Sequence, residues 1–515
     1  MRKGTAQNDV NIKDISATSE VDRLLELDKI PWYQKKNLKS LYLCLVPAAL
    51  GVEMTTGYDG SVLNGLQAVD KWQSHFGYPA SATLGLISAG LSIGSIASVP
   101  VLPYVNDRWG RKTSVILGSL VVTVGVIIQT LAANLGMLIA SRVIMGFGMP
   151  IALSGAAQLL TELCYPKERA AITGIFQVFW YVGSIIAAGA TLGTYSWSTH
   201  WSWRLPTVLQ ILPSLFQLSF IWFVPESPRW LISRDRADEA LEILIKYHGE
   251  GDRDSPFVAA EFHQIRETLR QEKEASSKPW RDLFSTPVNI RRVAVAACVG
   301  LFSQWAGNGL VSFYLAKVLT TIGIKDRRTQ NQINLGLNCW NLVTGMSAAS
   351  FGTRYLNRRT QILVGYGCMT IVFSCWTAAS AVYAGNNTNH SAAIGVVALI
   401  FIYYLFYNLM MPCQYLYVSE VFPFIQRAKG VAIMQLTNKG GGGFNQFVNP
   451  IGLDSIQWRY YIVYVVLLAV ETFVIWLIYP ETKGVSLEEI AVVMEGDNAK
   501  VELVGAGKKD KELKV

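Results

Sequence analysis

Pro225-Glu226-Ser227-Pro228-Arg229-Trp230-Leu231 opens the stretch, residues 225–292, on which the reading of this chain turns. It continues as Asp238-Glu239-Ala240-Leu241-Glu242-Ile243-Leu244-Ile245-Lys246, then a second acidic-basic run at 261–274, both charged and helical in pattern. The chain on either side is strongly apolar. The sequence thus reads as two hydrophobic halves of similar length joined by a soluble segment.

Only 16% of the 515 residues are charged and 51% are hydrophobic, where soluble domains carry about 25% charge. The shortage falls in apolar windows such as 115–132, 294–319 and 460–479. Each is near the ~20 residues that cross a bilayer. An all-α, polytopic membrane protein follows. The net charge of +8 fits a positive-inside bias in the loops. No Lys/Arg arm with interleaved aromatics speaks for nucleic acid. The seven cysteines are scattered without metal spacing and suggest no disulfide framework. No metal cluster, P-loop or nucleophile elbow appears, so neither an enzyme nor a cofactor is expected. Residues 1–38 are polar and lack the apolar core of a signal peptide.

Twelve spans are expected, at about 41–62, 81–101, 113–133, 137–160, 170–193, 204–224, 293–320, 333–353, 361–384, 393–418, 428–450 and 460–479. The layout is a tail (1–40), a six-helix bundle (41–224), a helical linker (225–292), a second bundle (293–480) and a tail (481–515). Loops 2–3, 4–5, 8–9 and 10–11 are basic, whereas 3–4 and 9–10 carry no Lys or Arg; loop 7–8, with Lys325, Arg327 and Arg328, runs against the trend. The balance puts both termini and the linker in the cytoplasm. Loop 9–10 then faces outward with two sequons, Asn386-Asn387-Thr388 and Asn389-His390-Ser391.

The halves repeat each other. Glu162, Arg169 and Gln177 recur as Glu420, Arg427 and Gln435, 258 residues later with the same spacing of 7 and 8. Asp107-Arg108-Trp109-Gly110-Arg111-Lys112 has a counterpart in Thr353-Arg354-Tyr355-Leu356-Asn357-Arg358, at an offset of 246. Pro225-Glu226-Ser227-Pro228-Arg229 matches Pro480-Glu481-Thr482-Lys483-Gly484, at 255.

With Gly57-Tyr58-Asp59-Gly60 and Arg142-Val143-Ile144-Met145-Gly146 added, these motifs cover residues 40–485. In their order and spacing the chain resembles the sugar porter family of the major facilitator superfamily. Gly57–Gln67 (GYDGSVLNGLQ) and Phe444–Gly452 (FNQFVNPIG) look like its fungal lactose-permease-like branch. The resemblance implies two parallel six-helix repeats with the substrate between them near the midplane.

It also implies roles. Asp107, Arg108, Arg111, Glu162, Arg169, Glu226, Arg229, Glu420, Arg427 and Glu481 fall at cytoplasmic helix ends, where similar residues form a gating network. The alternative is ordinary solvated helix termini. In the register above, Thr353 replaces Asp107 and Leu356-Asn357 replace Gly110-Arg111, so the network is expected to be weaker in the second half. A sugar site needs neutral amides and aromatic faces. Gln177, Gln304, Tyr314, Tyr415 and Asn438 stand where the family's pocket residues stand, with Ser303 in place of a first glutamine and Asn308 directly after Gly307, one place earlier than the family's asparagine. Asn338 and Asn341 read better as packing amides. Lys439, beside four glycines at 440–443, is either a site lysine or one that snorkels to an interface.

Asp59 inside span one is costly as a buried anion, and Arg142 in span four favours its ionised form. The resemblance sets the two side by side as a proton-coupling switch. The alternative is a static ion pair; Glu53 is a second candidate. The expected function is a sugar:proton symporter of a plasma membrane, working by alternating access on a mono- or disaccharide, as a monomer in the lipid bilayer, with sugar and protons as its partners. The rivals are a transport-impaired sugar sensor and a porter for a polyol or acid.

Overall fold

The computed structural model describes residues 20–276, 279–352, 355–386 and 389–483. The two tails beyond these limits, Thr353 and Arg354 of the second rim motif, and Asn387 and Thr388 of the first sequon lie outside them. Every expected span is helical. They are α1 (Lys36–Leu66), α2 (Ser81–Ser98, continued by Val101–Trp109), α3 (Arg111–Thr130), α4 (Leu135–Leu163), α5 (Pro166–Thr194) and α6 (Trp201–Leu209 with Ile211–Ile221). After the linker come α7 (Pro287–Trp305 with Asn308–Thr321), α8 (Arg327–Ser347), α9 (Arg358–Gly385), α10 (His390–Met410 with Cys413–Val421), α11 (Phe424–Ile456) and α12 (Tyr460–Ile478).

Among the described residues, nine helical stretches are long and apolar enough to cross a membrane, one of them, Gln426–Ile478, holding both α11 and α12. The other two spans miss that measure for physical reasons. α6 is interrupted at Gln210, because Pro213 has no N–H for the Leu209 carbonyl four residues back. α8 is polar, and it is built inside out. Gln330, Asn331, Asn334, Asn338, Asn341 and Thr344 recur every three or four residues and are all buried, while Val343 and Met346 are exposed. α3 likewise turns Leu120, Val124, Ile127 and Leu131 outward as an apolar stripe. A helix with its polar side inward and its apolar side exposed is stable in lipid, where backbone groups are satisfied within the helix. The fold is all-α and membrane-spanning, with twelve helices in two six-helix repeats.

Packing divides the chain into two compact units that cut across the sequence halves. The first holds residues 20–62, 93–187 and 204–276. The second holds 63–92, 188–203 and the described residues from 279 onward. The ends of α1, α2 and α5 thus pack within the second unit. There Asn64 Nδ2 donates to the Val311 carbonyl (3.2 Å) and to Asn334 Oδ1 (3.2 Å), and its Oδ1 accepts from the Leu315 N–H (3.0 Å). Lys317 Nζ reaches Ser81 Oγ at 2.8 Å and Asp454 at 2.5 Å.

The linker is helical where its charge pattern predicted, at Pro228–Ser233, Ala237–Tyr247 and Pro256–Ser276. It docks on the first unit. Glu250 accepts from the Asn37 and Leu38 N–H groups at the start of α1 (2.9 and 2.8 Å). His248 is buried between Glu261 (Nδ1, 2.7 Å) and the Leu163 carbonyl that ends α4 (Nε2, 3.2 Å). Trp230 Nε1 donates to the Asp107 carbonyl (2.8 Å) and Arg234 to the Arg108 carbonyl (3.0 Å).

Candidate functional site

In the first unit, α1 and α4 bring Asp59 and Arg142 together at 3.5 Å, both essentially inaccessible at 1% and 0%. The break in α6 aims Gln210 at the same carboxylate, Nε2 to Oδ1 at 2.9 Å. Asp59 Oδ2 has no hydrogen-bond partner among the described residues. Removing either member of such a buried pair leaves an uncompensated charge, which is strongly destabilising. Glu53, also buried, lies nearby on α1 and accepts from Thr56 Oγ1 at 3.1 Å.

The rim motifs build the same cluster twice. In the first copy, Glu226 accepts from the Arg111 and Lys112 N–H groups that start α3 (3.1 and 3.2 Å) and from the Ser227 N–H (2.9 Å). Arg111 pairs with Glu162 at 3.2 Å, and Ser227 Oγ donates to Glu162. In the second copy, Glu481 accepts from the Arg358 and Arg359 N–H groups that start α9 (2.9 and 3.1 Å) and from the Thr482 N–H (3.0 Å). Arg358 pairs with Glu420 at 3.5 Å, and Thr482 Oγ1 donates to Glu420 at 2.5 Å.

The second motif is therefore shifted by one residue from the expected register. Arg358 stands for Arg111, an offset of 358 − 111 = 247, and Asn357 stands for Gly110. The expected loss of the rim arginine in the second half is corrected: the cluster is present in both. Helix-start N–H groups around a carboxylate favour its anion. Burial pushes the Glu226 carboxyl up even so, against the pull of those N–H groups and of Arg111. The copies differ at the turn. Gly110 has φ +95, and a Cβ there would collide with the Glu226 carboxylate; Asn357 has φ −71. Of the other rim residues, Asp107 lies 3.8 Å from Arg111, Arg229 pairs with Glu272 of the linker at 2.9 Å, and Arg169 reaches the Cys164 carbonyl at 3.5 Å. Arg427 is half-buried on α11.

In the second unit, α7 and α11 gather the amides. Gly307, at φ +99, breaks α7 between Gln304 and Asn308. A side chain there would be strained and would sit 2.7 Å from the Phe373 ring. Asn438 donates to Ser303 Oγ at 2.8 Å, so the serine that replaces a glutamine orients the asparagine. Asn445 donates to the Gln304 carbonyl (2.6 Å), and Trp305 Nε1 donates to the Gly441 carbonyl (3.3 Å). The four glycines do not interrupt α11, which runs unbroken from Phe424 to Ile456. They let it approach α7: Gly441 and Gly442 face Leu301 and Gln304. Asn308 donates to Tyr407 Oη at 2.8 Å and leaves Oδ1 unpartnered.

The aromatic expectations divide. Tyr314 is fully buried, with its hydroxyl on the Gln446 carbonyl at 2.5 Å, so it packs the helix and offers no open face. Tyr415 is 48% exposed and bonded to Gln435. Asn338 and Asn341 are packing amides, bonded to Asn334 and Asn408. Lys439 is half-buried, and Gln177 is exposed on α5 in the first unit. A separate cavity of about 640 Å³ in the second unit is lined by Gln67, Lys317, Arg327, Ser380, Asp454 and Trp458, and excludes Gln304, Asn308 and Asn438.

The family model described as "Sugar (and other) transporter" matches residues 43–494. The chain belongs to that family. Among similar proteins of this sugar transporter family, the MFS-type transporter criB of Aspergillus cristatus is 28% identical over 445 residues, covering 85% of this chain and 90% of that protein. The high-affinity glucose transporter of Kluyveromyces lactis is 27% identical over 453 residues, 84% of this chain and 81% of its own length. The fold is that of the xylose transporter XylE from E. coli in its inward open conformation, with a TM-score of 0.73 at 20% identity, covering 88% of this chain and 99% of the other. The relatives are membrane transporters, not enzymes. Two buried side chains of this family member carry no motif: Gln210, the second partner of Asp59, and Glu471 in α12. Glu471 alone left a signal, as the one acid in the apolar run 460–479.

Proposed function

We propose that this chain is a sugar:proton symporter that moves a mono- or disaccharide across a plasma membrane by alternating access. The observation that carries the reading is the sealed Asp59–Arg142 pair with Gln210 beside it. Protonating Asp59 neutralises the carboxylate and frees Arg142, a change that α1, α4 and α6 all feel. Neutral amides at Gln304, Asn308 and Asn438, with Ser303 and Trp305, suit a polyhydroxylated, uncharged ligand. The duplicated rim clusters, with Asp107, Arg108, Arg169, Arg229 and Arg427 around them, serve as the gate, since contacts present in one conformer alone shift its population. The basic loops put that rim and both termini in the cytoplasm. The rival, a transport-impaired sensor, rests on the second rim motif and on Lys439, and the Arg358–Glu420 pair weakens the first of these.

The test is labelled-sugar uptake in a host stripped of its own porters, at varied external pH. Wild type should accumulate sugar more strongly at acid pH, and Asp59→Asn should lose accumulation and its pH dependence while keeping binding and downhill exchange. Proton-driven accumulation surviving in Asp59→Asn would overturn the coupling role; no uptake of any sugar, with binding kept, would overturn transport.

A further inference from the structure

Glu471 lies midway along α12, 2% exposed, and neither of its carboxyl oxygens has a hydrogen-bond partner among the described residues. Among the described residues, titratable groups within electrostatic reach of it come from its own segment and from three neighbouring helices. They are Cys298 from α7, Tyr366 from α9 and Tyr403 from α10, with Tyr464 and Tyr479 from its own segment. From α11, Asn445 and Asn449 are turned to the Tyr464 hydroxyl. None of these is a cation. Arg291, which α7 presents along this side, reaches the Ile478 carbonyl at 3.5 Å. That is seven residues beyond Glu471, about 10 Å of helical rise.

An isolated carboxylate in such a place is far costlier than a paired one by Born solvation, and in practice the group neutralises. The contrast with Asp59 is direct: that acid has a guanidinium and an amide, and this one has thiol and phenol groups around it. We propose that Glu471 is a second proton-binding site, seated in the second unit, which holds its proton in the conformer seen here. Binding takes a proton from hydronium, forms one O–H bond and leaves water, with no change in oxidation state. Release requires a rearrangement of α7, α9 and α12 that admits water or brings a cation such as Arg291 to the carboxyl. The unmatched O–H and C=O in this conformer are consistent with a partner that arrives in another, since a buried polar group left unsatisfied carries a cost. The proposal does not depend on which solute is carried.

Infrared spectroscopy of the full chain in lipid vesicles at neutral pH tests it, because a carboxylic acid C=O stretch is separate from the carboxylate bands. Wild type and Asp59→Asn should both show the acid band, and Glu471→Gln should lose one carboxylic-acid equivalent. An unchanged band in folded Glu471→Gln would overturn the proposal. Should that variant not fold, wild type labelled with ¹³C-glutamate gives the answer alone. A glutamate acid band shifted by the label is expected, and its absence would overturn the site. The sugar-uptake test of Asp59→Asn stands apart, so the two ideas fail separately.

Discussion

The Gln304 backbone carbonyl and the side chains of Asn308 and Asn438 are bonded within the protein, and what each substitution removes follows from that. Gln304→Ala should weaken sugar binding by roughly 1–3 kcal/mol, the penalty for leaving a buried hydroxyl unmatched, read by equilibrium titration. Tyr314→Phe should leave affinity unchanged and lower stability by about 1 kcal/mol. Its hydroxyl bonds the Gln446 carbonyl inside the fold, so a large affinity loss would restore Tyr314 to the pocket. The candidate amides entered through the family resemblance, Gln304 and Asn308 by the motif of α7 and Gln177 and Asn438 by their distance from Arg169 and Arg427. What their other side depends on was not legible. Ser303 orients Asn438 through a contact 135 residues apart in sequence, and no local pattern encodes that.

At the level of the element, a helix start serves as a carboxylate receptor. The beginnings of α3 and α9 each offer two N–H groups to a glutamate from the end of the bundle. Arg358→Ala should therefore cut uptake as strongly as Arg111→Ala, while Asn357→Ala should change little. Equal effects at 357 and 358 would contradict the register found here. The linker offers a second prediction. Burial disfavours the His248 imidazolium, but the Glu261 charge and hydrogen bond and the Leu163 carbonyl outweigh it, so the pKa is raised above 6.5. Its contribution to linker docking is full below the unfolded value of about 6.5 and is lost as pH rises through the raised folded value. Limited proteolysis of the linker should thus accelerate as pH rises through that window, and Glu261→Gln should abolish the dependence. A cleavage rate flat with pH in wild type would remove His248 as the cause.

For the whole molecule, the informative feature is that packing units and sequence halves differ. Residues 63–92 belong by sequence to the first half and by packing to the second unit. Gly85 permits this, since a Cβ there would lie 2.5 Å from the Phe447 carbonyl, and Lys317 ties Ser81 to Asp454. Lys317→Ala should raise hydrogen–deuterium exchange in segment 63–92 several-fold and leave the 104–115 rim unchanged. Exchange unaltered in 63–92 would mean the lysine holds only its own helix.

Span number, linker position, repeat and family were determined by the sequence alone. They rest on properties that add along the chain: the apolar length needed to cross a bilayer, the charge of each loop, and motifs repeated at nearly constant offset. The Asp59–Arg142 pairing entered through the family resemblance. The tertiary structure alone decided the register of the second rim motif, the withdrawal of Tyr314 into the packing, the role of the glycines as a close-approach surface, and the isolation of Glu471. Each of these depends on which side chain meets which across tens to hundreds of residues. A one-residue shift, invisible in composition, moves an arginine from a helix cap onto a glutamate.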